Sequence, residues 1–175
     1  MTNVFASDAT FIRCPFPFYG VALGQLRENR NVMPEGFSFD ELSVGRTFGP
    51  HVYHLTGESI AEWCRLHGQE YPASLDLAEA RAQGYRHLVA PTGMAFIFSL
   101  KALTQLRVMP QGVILAGHEL RFHEPPCAGD LVDTIITVAE KYVRRERKYV
   151  VLEILSRISG DTLVVANRMS GVWPH

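Results

Sequence analysis

Pro91-Thr92-Gly93-Met94-Ala95-Phe96-Ile97-Phe98 decides how this chain folds, because it opens a helix over roughly Met94–Leu106 with hardly any polar face. A helix that is apolar nearly all round must be covered on most sides. After Gly112 the hydrophobic period changes to two. Ile114, Ala116, His118, Leu120 and Phe122 then share one strand face, with Glu119, Arg121 and His123 on the other. Gly129-Asp130 starts a further strand to about Val143. The charged tip Arg144-Arg145-Glu146-Arg147-Lys148 turns the chain into Tyr149–Ser159, where Val150, Leu152, Ile154 and Ile158 alternate inward. Ser159-Gly160-Asp161 is a hairpin signal leading into Thr162–Trp173. Four strands in a row with short turns predict an antiparallel meander wrapped on the apolar helix, an α+β architecture.

Upstream, His51–Thr56 reads as a short strand. Thr56 caps a helix over Gly57–His67, in which Ile60, Trp63, Cys64 and His67 fall at helical spacing and Gly68 supplies the stop. Asp76–Gln83 reads as a second short helix, started by Asp76 and ended at Gly84. Residues 1–36 carry scattered aromatics broken by Pro15 and Pro17, and read as an extended arm rather than a domain. The body, 37–175, is the one folded domain.

Composition narrows the function. The chain has 175 residues, 47% hydrophobic and 20% charged, with a formal net charge of -1. That balance is globular and gives no reason to expect a nucleic acid or an anionic membrane as partner. The apolar run Met94–Leu100 is far shorter than the ~18–20 residues of a membrane span. Met1–Asp8 lacks the basic start and apolar run of a secretory signal, so the expected location is the cytoplasm. Cys14, Cys64 and Cys127 are too few and too scattered for a disulfide framework or a thiolate zinc site. His51 and His54 point to opposite faces of a strand, as do His118 and His123, so no metal site is expected.

Several strings in this order resemble the MaoC-like dehydratase and (R)-specific enoyl-CoA hydratase family of the hotdog fold. They are Phe39-Asp40-Glu41-Leu42-Ser43-Val44-Gly45, Thr56-Gly57-Glu58-Ser59-Ile60, Ala80-Arg81-Ala82-Gln83-Gly84-Tyr85, Ala90-Pro91-Thr92-Gly93-Met94 and Leu120-Arg121-Phe122-His123-Glu124-Pro125, the last followed by Gly129-Asp130. The resemblance covers roughly 37–173. It implies a curved antiparallel sheet around a long central helix. It also implies a homodimer or higher homo-oligomer, or a heterodimer with a related hotdog subunit. The implied substrate is an acyl thioester carried on coenzyme A or acyl carrier protein, with no further cofactor, and the implied reaction is addition or loss of water.

Family members handle that water with an Asp and a His in a D-x-N-P-x-H string. Aligning Pro72 with its proline puts Gln69 at the Asp position, Tyr71 at the Asn and Ser74 at the His, so the resemblance implies that the dyad is replaced. Gln69 cannot ionise, and Ser74 is no base near neutrality without help. Candidate substitutes are Glu70, against a solvated loop glutamate; His67, against a histidine that merely favours a helix end; and Tyr71, as a hydrogen-bond donor or a plug. His118 on the apolar strand face is either a paired core or interface histidine or a recruited acid or base. His87 reads as an ordinary loop histidine. Gly93, with Thr92, is placed to hold an oxyanion at the helix start, against a glycine that only relieves packing. Asp76 remains as the motif's later acid and a substrate-binding candidate. The Arg144–Lys148 cluster is either a solvated tip or a contact for coenzyme A phosphates. Three functions follow as expectations: a hydro-lyase with a non-standard catalytic set, a non-catalytic acyl-binding subunit of a dyad-bearing dehydratase, or a thioesterase on the same scaffold.

Overall fold

A computed structural model describes residues 36–159 and 161–174, so the expected arm over 1–36 lies almost wholly outside the described residues. In chain order the elements are β1 (Thr47–His54), α1 (Gly57–Leu66), α2 (Pro72–Leu75), α3 (Leu77–Ala82), a 3-10 turn (Thr92–Met94), α4 (Ala95–Gln105), β2 (Ile114–Phe122), β3 (Leu131–Arg144), β4 (Arg147–Ile158) and β5 (Thr162–Trp173). The strands form one antiparallel sheet in the order β1-β3-β4-β5-β2, with α4 against its inner face. This is the α+β hotdog architecture. No helix among the described residues is long and apolar enough to cross a membrane.

Local chemistry accounts for the helix ends. Thr56 Oγ1 accepts from Ser59 N (3.1 Å) while Ser59 Oγ accepts from Thr56 N (3.2 Å), a reciprocal box that starts α1. At its end Gly68 takes φ +59, a left-handed conformation that suits glycine. Asp76 starts α3 by accepting from Ala78 N (2.7 Å) and Glu79 N (3.1 Å) through one carboxylate oxygen. The short α2 escapes sequence reading because one turn of helix has no periodicity to detect.

Three details correct the strand reading. First, only β3-β4-β5 form the expected meander; β2 crosses to pair with the far side of β5. The connection 123–130 holds Pro125-Pro126, which cannot form a tight hairpin, and it carries the chain across the sheet. Second, the register slips between Leu115 and Gly117, so Leu115 lies opposite buried Gly171 while Ile114 lies opposite Val172 on the other face. Ile114 therefore does not share a face with His118, Leu120 and Phe122, because a bulge breaks the alternation. Third, α4 is not covered all round. Phe98 and Ala102 are fully buried, yet Leu100 is 47% exposed and Phe96 and Ile97 are half-buried. The sheet curls around one side of the helix, and β2 is an edge strand with Leu115 and Phe122 also exposed.

The β3–β4 turn is Arg145-Glu146, with both residues at positive φ (50 and 63). That geometry matches the strand twist but asks two side-chain-bearing residues to adopt a conformation costing about 1–2 kcal/mol each. Glu146→Gly is expected to raise stability by about 1 kcal/mol, read as a higher denaturation midpoint at unchanged slope.

Candidate functional site

The N-terminal end of α4 is built to stay open. Pro91, buried, leads into the 3-10 turn. Met94 N donates to Pro91 O (2.9 Å) and Ala95 N donates to Thr92 O, so buried Met94 and Ala95 pin the turn. The N–H groups of Thr92 and Gly93 have no acceptor among the described residues, and both residues are exposed. Unpaired N–H groups at the positive end of a helix attract an anionic oxygen. A Cβ on Gly93 would meet only Trp63 Cζ2, at 3.5 Å.

Beside this turn lies a cleft of about 240 Å³, walled by Tyr71, Ser74, Tyr85, Pro91, Thr92 and Pro125 among others. Of the residues singled out in the sequence, Tyr71, Ser74 and Thr92 thus share one cleft, with Gly93 next along the chain. Tyr71, half-exposed, precedes α2, and α2 sets Ser74 in the wall. Ser74 is 1% exposed, and its hydroxyl donates to Val89 O at 2.7 Å. Its proton is committed to the backbone.

The other candidates sit differently. Gln69 N donates to Cys64 O (2.9 Å), and its Oε1 is shut from solvent with no donor among the described residues. Glu70 is exposed. His67 is also exposed; its ring stacks on Trp63 (3.7 Å between centroids), and its Nδ1 lies 2.9 Å from Trp63 O, satisfying a carbonyl at the end of α1. The Asp76 carboxylate is taken up by the α3 cap.

His118 faces inward from the β2 edge, opposite Met169, with its ring 5.0 Å from that of Phe96 in the first turn of α4. The residue keeps an exposed side because nothing among the described residues covers the edge. Desolvation pushes the imidazole below its ordinary pKa, and the nearby Asn167 amide pulls it partly back. Asn167 is 1% exposed, and neither amide atom makes a hydrogen bond of standard geometry among the described residues.

A folded-state histidine pKa below the unfolded value means the unfolded chain takes up the proton first. This contribution is neutral above about pH 6.5 and destabilising as pH falls through that value. His118→Gln is therefore expected to narrow the drop in melting temperature between pH 7 and pH 5. An unchanged drop would show that His118 titrates alike in both states.

Sequence reading missed Trp63 and Tyr85. Trp63 sits on the α1 stripe like any core residue, but its ring borders Gly93 and its Nε1 is buried without an acceptor among the described residues. Only the unpaired N–H distinguishes it, and periodicity cannot reveal that.

A curved antiparallel sheet around one helix, with an open helix end bordering a cleft, defines a hotdog domain. Residues 43–171 match the family described as FAS1-like, dehydratase domain region, and the chain belongs to that family. The MaoC-like resemblance is borne out by this match. Over 135 residues the chain is 25% identical to a UPF0336 protein of Saccharopolyspora erythraea, covering 73% of this chain and 86% of that one. The fold is similar to that of the R-hydratase PhaJ1 from Pseudomonas aeruginosa, with TM-score 0.70 and 21% identity over 81% of this chain and 88% of that one. It is also similar to the HadBC (3R-hydroxyacyl-ACP dehydratase) complex from Mycobacterium tuberculosis, with TM-score 0.64 and 23% identity over 74% of this chain and 96% of that one.

Proposed function

We propose that this chain binds an acyl thioester, on coenzyme A or acyl carrier protein, as part of a hydratase/dehydratase-type lyase. The carrying observation is the pair of N–H groups at Thr92 and Gly93, without an acceptor among the described residues and beside the Tyr71 cleft. In this reading they hold the thioester oxygen, where charge develops as a proton leaves or joins the neighbouring carbon. Tyr71 and Thr92 flank the acyl group. The general base comes from a second hotdog chain, because Gln69 does not ionise and the Ser74 proton is tied to Val89 O. The exposed inner edge, formed by Leu115 and Phe122 of β2 with Leu100 of α4, is the apolar strip such a partner would cover. A cytoplasmic location accords with this chemistry.

A second reading, a self-sufficient homodimer, draws on His118. Burial lowers its pKa, which favours the neutral, proton-accepting form, and its ring borders that of Phe96, the residue one helical turn after Gly93.

Crotonyl-CoA separates these readings. The purified chain alone is expected to bind it but to hydrate it about 10²–10⁴-fold more slowly than when mixed with a dyad-bearing hotdog partner. Full turnover alone, lost in His118→Gln, would instead establish the homodimer. Release of free thiol would identify a thioesterase.

A further inference from the structure

The cleft beside Gly93 carries no formal charge. It measures about 240 Å³, and no aspartate, glutamate, lysine, arginine or histidine lines it among the described residues. Its floor is small and apolar: Ala73, Val89 and Ala90 are 6%, 8% and 6% exposed. The Ser74 hydroxyl in the wall is already committed to Val89 O. Val89 is held from two sides, by its N–H donating to Ala73 O (3.1 Å) and by a bridge to Cys127. The floor is therefore fixed in place.

The cleft also has a direction. Val89, Ala90, Pro91 and Thr92 line it in succession, and Pro91 is extended at φ -57, ψ 143. Three extended residues reach at most about 10 Å, so the floor runs that far from the open turn of α4. Tyr85, another lining residue, packs on the cluster of Ala73, Ala80, Val89 and Cys127. Its ring thus stands at the Val89 end, away from Thr92.

We propose that this cleft takes an uncharged acyl group of up to about eight carbons, with Tyr85 as the residue that sets the length. The inference rests on the thioester reading, which puts the oxygen at Thr92 and Gly93 and lays the acyl group along the floor. A cavity of about 150 Å³ holds benzene, so 240 Å³ takes roughly ten non-hydrogen atoms. The thioester oxygen and sulfur account for two of them. Each methylene laid on the apolar floor strengthens binding by about two- to fourfold, and methylenes beyond it add nothing. A terminal carboxylate would give up its water against a surface with no cation to meet it, so a dicarboxylic acyl group is disfavoured.

The test is calorimetric titration of the full chain with butyryl-, hexanoyl-, octanoyl-, decanoyl- and dodecanoyl-pantetheine. Succinyl-pantetheine, which differs from the butyryl compound only in a carboxylate for the methyl, completes the set. We expect affinity to rise by about two- to fourfold per methylene as far as octanoyl and then to level. Succinyl should bind about tenfold or more weakly than butyryl. In Tyr85→Ala the rise should continue, with dodecanoyl about fivefold or more tighter than octanoyl. A wild-type rise that continues through dodecanoyl, equal binding of succinyl and butyryl, or an unchanged plateau in a folded Tyr85→Ala would overturn the proposal. The wild-type series decides by itself if that variant unfolds. 1-Hexanol, 1-octanol and 1-decanol carry such chains without the thioester. If they bind with the same cut-off while no acyl-pantetheine does, the thioester reading falls and the length selection stands. If the acyl-pantetheines bind equally at every length, the thioester reading stands and the length selection falls. Absence of binding in both series overturns both.

Discussion

Gly93→Val is expected to weaken acyl-thioester binding by up to about tenfold, the worth of one hydrogen bond, while leaving the fold intact. In turnover the loss is larger, on the order of 10²–10³ in kcat for a single oxyanion donor, because the charge on the oxygen develops only in the transition state. Here the N–H remains but is walled off. A Cβ meets Trp63 Cζ2 at 3.5 Å, an ordinary contact, so Gly93→Ala is accommodated. The two methyls of valine crowd Trp63 on one side and project over the exposed turn on the other, where the ligand oxygen must approach. If Gly93 only relieves packing, the result inverts: the valine variant melts lower and binds as the wild type does. Measuring melting temperature and butyryl-CoA affinity on the same samples separates the two.

Phe98→Ala is expected to cost about 3–5 kcal/mol, enough to lower the melting temperature by roughly 10 °C. Phe98 is 0% exposed. Its ring sits 5.4 Å from that of Tyr53, and it shares a cluster with Ile60, Met94, Val132 and Val165. It thereby ties α4 to α1, β3 and β5 at the end where the candidate site lies. Net stability of a domain is about 5–15 kcal/mol, so this one truncation removes a large fraction of it. Leu100→Ala on the opposite face provides the contrast. At 47% exposure it should cost the isolated chain little, and a larger cost that grows with protein concentration would place Leu100 in a subunit interface. Chemical denaturation of both variants checks the pair.

The hotdog architecture was legible because its signals are local. The apolar helix, the switch to a period of two, Thr56 and Asp76 as caps and the charged two-strand tip are each set within a few residues. The position of β2 was not legible, since adjacency in a sheet depends on a long-range pairing that alternation cannot report. One bulged residue was enough to put Ile114 on the wrong face. At the candidate site, motif order singles out Tyr71, Ser74 and Thr92, which line one cleft, and Gly93, which is next along the chain. What their groups are bonded to lay outside the motif. The Ser74 bond to Val89 O links positions far apart in sequence, and a Trp63 Nε1 without an acceptor among the described residues is visible only once neighbours are fixed.

The most direct measurement is an amide chemical-shift titration of the ¹⁵N-labelled chain with butyryl-pantetheine. A thioester oxygen held at the open end of α4 predicts saturable shifts at the Thr92 and Gly93 N–H groups, with smaller ones at Tyr71. Shifts confined to other regions, or none at all at saturating ligand, would contradict it.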